Sequence, residues 1–93
     1  MKLKICVHSV ANDTEYGGEQ ILDCVCGEYQ LNDVFRLPFF RIIIDDIIEG
    51  ALCFRLMEGG IEHYFVLDDG DRFATFRRDT SLGEDNFDFE LLS

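Results

Sequence analysis

The sequence predicts an all-β fold, a small antiparallel sandwich or barrel-like meander of about seven strands, and three observations predict it. Apolar and polar residues alternate with period two in several stretches, glycine and Asp-Gly turn signals recur at intervals of roughly ten residues, and β-branched and aromatic side chains fill the segments between them.

The first strand reads from Lys2 to Val10, where Leu3, Ile5 and Val7 alternate with Lys2, Lys4, Cys6 and His8, so one face is apolar. Gly17-Gly18 and Gly27-Glu28 mark the turns on either side of the next strand. Residues 38–49 support two readings. Phe40, Ile43, Ile44, Ile47, Ile48, Ala51 and Leu52 fall at helical spacing, with Pro38 suited to a helix start and Gly50 to its end. That alternative gives an α+β fold with one helix near residues 38–49. Five isoleucines and the lack of a capping side chain at Leu37 favour strands instead.

Beyond this segment, Leu52, Phe54 and Leu56 alternate with Cys53 and Arg55 in a strand over Ala51 to Met57. Phe87, Phe89 and Leu91 alternate with Asp88 and Glu90 in the last one. Glu49-Gly50, Gly59-Gly60, Asp69-Gly70 and Gly83 to Asn86 supply the turns between. The stretch from Gly17-Gly18 to Gly27-Glu28 resembles that from Gly59-Gly60 to Gly70-Asp71, but hairpins share such features without any duplication.

Ninety-three residues form one domain, 1–93, and Leu, Ile, Val and Phe at 32 positions supply a packed core. The N-terminal stretch is too broken for a signal peptide, and the run Ile42-Ile43-Ile44 is closed by Asp45-Asp46, far short of the roughly 20 apolar residues of a membrane span. A cytoplasmic protein is expected. In that compartment Cys6, Cys24, Cys26 and Cys53 are buried free thiols rather than disulfides. Cys24 and Cys26 point to one face if they lie on a strand, but their spacing is poor for zinc, and neither Cys6 nor Cys53 has a near partner.

No metal, cofactor or catalytic site is expected. Asp68-Asp69-Gly70-Asp71 resembles a fragment of a calcium loop, but Arg72, Phe73 and Ala74 follow where further ligands belong, and an Asp-Gly hairpin turn accounts for it. His8 and His63 are the sole imidazoles. Cys6 and His8 share a strand face about 7 Å apart, too far for direct proton transfer. Gly17-Gly18 lacks the lysine and Ser/Thr of a phosphate loop.

The formal charge is −11, and it is uneven: residues 1–41 carry −2 and residues 42–93 carry −9. In a meander over residues 41–78, alternate turns share an end of the sheet, which gathers Asp45, Asp46, Glu49, Asp68, Asp69 and Asp71 into one acidic pole. Glu58, Asp79, Glu84 and Asp85 then form the other. Such a surface repels nucleic acid and anionic membrane and attracts basic proteins.

The functional expectation is a non-enzymatic acidic binding module that occludes the basic surface of a nucleic-acid-binding partner, of the anti-CRISPR or nuclease-inhibitor type. The alternatives are an immunity protein neutralising a basic toxin, a small β-barrel around an apolar ligand, suggested by nine phenylalanines, and a charge that serves solubility alone. A homodimer through an exposed edge strand is left open.

Overall fold

A computed structural model describes residues 1–31 and 40–92. The chain runs through eight strands and no helix among these residues: β1 (Lys2–Ala11), β2 (Thr14–Asp23), β3 (Gly27–Gln30), β4 (Phe40–Ile48), β5 (Ala51–Glu58), β6 (Ile61–Leu67), β7 (Phe73–Thr80) and β8 (Gly83–Leu92). They form two four-stranded antiparallel sheets, ordered β2-β1-β8-β7 and β3-β4-β5-β6. The all-β expectation holds, with one strand more than the sequence suggested.

Period two decides which side of each strand meets the core. Leu3, Ile5 and Val7 of β1 and Phe87, Phe89 and Leu91 of β8 face Phe40, Ile42 and Ile44 of β4 and Leu52, Phe54 and Leu56 of β5, all buried. Phe40, Phe54 and Phe65 of one sheet meet Phe76, Phe87 and Phe89 of the other edge to face or at a tilt. These six pack against one another, while Phe73 is 65% exposed and Phe35 and Phe39 lie outside the described residues.

Residues 40–48 are strand, and the reason for their helical appearance is a bulge. Ile44 pairs with Phe54 and Asp46 with Cys53, which leaves Asp45 as an extra residue. Parity flips there. Ile42 and Ile44 are buried before the bulge, and after it Ile47 takes the side of its pair, buried Leu52, though it is itself 37% exposed, so the positions on that side fall at uneven spacing. Pro38 and Leu37, the proposed helix start, lie outside the described residues.

Several turns sit where glycine counting did not put them. The β1–β2 turn is Asn12-Asp13, both at positive φ (52° and 62°), while Gly17 and Gly18 lie inside β2 opposite His8 and Val7. Gly27 opens β3 rather than forming a turn, and the link before it is Cys24 to Cys26. Those two cysteines are thus off the strands, and Cys26 is exposed; Cys6, Cys24 and Cys53 are half-buried, so the thiols are free but less buried than expected. Glu49-Gly50 and Gly59-Gly60 are turns as read.

Gly83 is the first residue of β8, not part of the turn. A Cβ there would lie 1.8 Å from the Val10 carbonyl oxygen, so only glycine lets β8 close against β1 at this point. The 68–71 segment is a crossing between sheets and not a hairpin, since β6 and β7 belong to different sheets. Asp68 Oδ1 accepts from the Gly70 and Asp71 amides (2.9 and 2.8 Å) and turns the chain. Arg72 then joins the β2-β1-β8-β7 sheet, its carbonyl accepting from the Leu91 amide and its guanidinium donating to the Leu91 carbonyl.

Candidate functional site

Strand register brings the two acidic turns to one end of the molecule. Leu52, just after the Glu49-Gly50 turn, pairs with Leu67, just before the 68–71 crossing. All six expected residues, Asp45, Asp46, Glu49, Asp68, Asp69 and Asp71, are exposed, yet they are not equivalent.

Asp45, carried on the bulge, receives Arg55 through Nε (2.9 and 3.1 Å) and Nη2 (2.7 Å), while Nη1 of the same arginine reaches Glu62 at 3.0 Å. Its charge is answered locally. Asp68 is absorbed in the turn just described. Asp46 Oδ1 accepts from the Ile47 amide at 2.8 Å, and Asp69 pairs with Arg72 at 3.0 Å with its side chain 93% exposed. Among the described residues Glu49 and Asp71 take part in no ion pair. Glu49 also stands at φ 50°, a left-handed position that asparagine or glycine occupies more readily than glutamate.

The second expected pole is of a different kind. Arg78 of β7 bridges Asp85 of β8 (2.5 Å) and Glu58 of β5 (3.0 Å), and its guanidinium lies over the Phe40 ring at 4.8 Å. Ser9 donates to Asp85 at 2.5 Å, and His63 meets Glu58 at 3.1 Å. Asp85 is buried, so this cluster is an ion network tying sheet to sheet and not a free acidic surface. Desolvation pushes the Glu58 carboxyl up, but the hydrogen bonds from His63 and Arg78 and the charge of Arg78 outweigh it and hold the group below its ordinary value. Asp79 and Glu84 are both held by Arg77, at 3.2 and 2.6 Å.

An acidic face that sequence reading passed over lies on the outer side of the β2-β1-β8-β7 sheet. Glu84, Asp88 and Glu90 of β8 share that side with Glu15, Glu19 and Asp23 of β2 and Asp79 of β7. Lys2, Lys4 and Arg77 are the basic residues of the same side. The signal was present in the alternation of β8, where each inward Phe or Leu is flanked by an outward acid.

Cys6 and His8 share this outer face without meeting. Cys6 Sγ lies 3.8 Å from Glu19 and His8 Nε2 lies 3.7 Å from Glu15. Burial, with Glu19 adding to it against the pull of Lys4, pushes the Cys6 thiol up, away from the thiolate a nucleophile needs. Among the described residues no three His, Cys, Asp or Glu side chains gather to hold a metal ion, and no helix is long and apolar enough to cross a membrane. Tyr64 is 69% exposed on β6, and Tyr29 donates to the Val25 carbonyl at 2.5 Å.

No protein-family model matches this chain, and neither a curated protein nor a solved structure resembles it at a significant level.

Proposed function

We propose that the chain is a non-enzymatic binding module that presents the acids of its β4–β5 turn and 68–71 crossing to a basic protein, occluding a surface that otherwise holds nucleic acid. The observation that carries this reading is Glu49. It holds a long carboxylate, in no ion pair among the described residues, at the tip of the acidic end in a backbone conformation that favours other residues, and such local cost is a pointer to use. Asp46, Asp69 and Asp71 surround the reading with further exposed charge, while Asp45 and Asp68 hold the scaffold in place.

A net charge of −11 makes encounter with a basic partner fast and salt-sensitive. Four free thiols suit a reducing cytoplasm. An anti-CRISPR or nuclease inhibitor would work by this kind of steric and electrostatic occlusion, with no turnover.

The test is capture from a panel of purified basic nucleic-acid-binding proteins and neutral proteins at low and high salt, with wild type and an E49K/D69K/D71K variant as baits. These substitutions leave Asp45 and Asp68 to maintain the fold. The proposal expects capture of basic members at low salt, lost by the variant. Equal retention of basic and neutral proteins, or capture indifferent to the charge reversal, would show that the acids serve solubility.

A further inference from the structure

The two sheets leave four edge strands, and three of them carry features that discourage pairing with another chain. β3 has only four residues, β2 carries Glu15, Glu19 and Asp23 around a glycine pair, and β7 carries Arg77, Arg78 and Asp79. β6, Ile61-Glu62-His63-Tyr64-Phe65-Val66-Leu67, has no lysine, arginine, proline or bulge. Its one carboxylate, Glu62, is already held by Arg55 and by the Tyr64 hydroxyl. Ile61, Tyr64 and Val66 are more than half exposed on it. Among the described residues its backbone bonds to β5 alone.

We propose that β6 is a self-pairing edge, at which two copies of the chain join their β3-β4-β5-β6 sheets into one antiparallel sheet about a two-fold axis at Tyr64. Two observations choose a second copy as the occupant. In a molecule of charge −11, like molecules approach most easily across an edge whose single carboxylate already has a basic partner; β3, where Arg41 holds Glu28, and β6, where Arg55 holds Glu62, are such edges, and of the two only β6 is long enough to pair along seven residues. The strand is also self-complementary. Centring on Tyr64 uses all seven residues, setting Ile61 opposite Leu67 of the other copy, His63 opposite Phe65, and Glu62 opposite Val66, so that no like charges face each other. Opposed residues have the same parity, so the apolar side of each sheet stays continuous with its counterpart.

This contact lies apart from the acidic turns and has the opposite response to salt. Screening relieves repulsion between two acidic copies and strengthens the dimer, whereas it weakens an acidic surface bound to a basic partner. Sedimentation velocity at high micromolar concentration, in about 0.05 M and about 0.5 M salt, over which the screening length shortens about threefold, reads the dimer directly.

The register adds a sharper arm. V66E places a carboxylate opposite Glu62 twice in each dimer and is expected to weaken it about tenfold, while V66K places an ammonium there and is expected to hold or tighten it. The same pair of substitutions at Ile21, exposed on the other sheet, controls for net charge and is expected to change little. Dimers that grow with salt and respond oppositely to V66E and V66K support the proposal. A monomer at both salts, or a dimer in which V66E and V66K behave alike, overturns it, whatever the capture experiment above returns.

Discussion

Arg78 answers two carboxylates from different sheets, Glu58 and Asp85, in a part of the molecule where water reaches Asp85 over only 6% of its side chain. Removing one partner of such a cluster leaves charge uncompensated in a poor solvent. Arg78→Met, which keeps the apolar stem over Phe40, is therefore expected to cost about 3–5 kcal/mol, measured by urea denaturation at neutral pH. Glu58 adds a pH dependence whose sign follows from its lowered folded value. Its contribution is complete above the unfolded carboxyl value of about 4.5 and is lost as pH falls through the folded one. Stability measured from neutral to acid pH should fall through that window in wild type and fall less steeply in Glu58→Gln. Parallel curves for the two proteins would remove Glu58 from the acid response.

At the scale of elements, the Glu49-Gly50 turn offers the clearest separation of stability from use. Asn-Gly is the favoured pair where both central residues have positive φ, and here they stand at 50° and 82°. Glu49→Asn should raise stability by about 0.5–1 kcal/mol, read from the urea midpoint, while weakening capture of a basic partner. A loss of stability would mean that the glutamate side chain holds the turn and has no need of a functional explanation. The strands themselves were legible wherever inward and outward residues differ sharply, as in β1, β5 and β8. What alternation could not show was the Asp45 bulge, which mixes two parities in one segment and imitates a helical stripe. Glycines misled for a related reason. Gly17-Gly18 sits within an edge strand, and Gly83 is required by contact with Val10 from a distant strand, whereas the true turn at Asn12-Asp13 relies on residues that tolerate positive φ without being glycine. Of the six acids chosen for one pole, register did gather the turns. The loss of Asp45 to Arg55 and of Asp68 to backbone amides is a matter of side-chain geometry that no spacing rule carries.

At the scale of the whole molecule, β1 and β8 close the core. β1 and β8, the first and last strands among the described residues, are neighbours at the centre of one sheet, in unbroken register from Lys2 opposite Leu92 to Ala11 opposite Gly83. The core therefore cannot be completed until β8 is present, and the many pairings distant in sequence place folding in the slow range for a small domain, roughly milliseconds to seconds. β8 supplies Phe87, Phe89 and Leu91, each at most 2% exposed and each meeting or facing side chains of the opposite sheet. Losing a single buried phenylalanine costs about 3–5 kcal/mol, so losing all three of these side chains approaches or exceeds the roughly 5–14 kcal/mol expected for a chain of this length. It would also turn β1 into an open edge with an apolar face. A chain ending at Asn86 is accordingly expected to show no cooperative urea transition and to expose apolar surface to a dye such as ANS. A sharp transition in that truncated chain would mean that β1 and β2 can find another cover, and that the junction of β1 with β8 is a late addition to a fold already formed by the remaining strands.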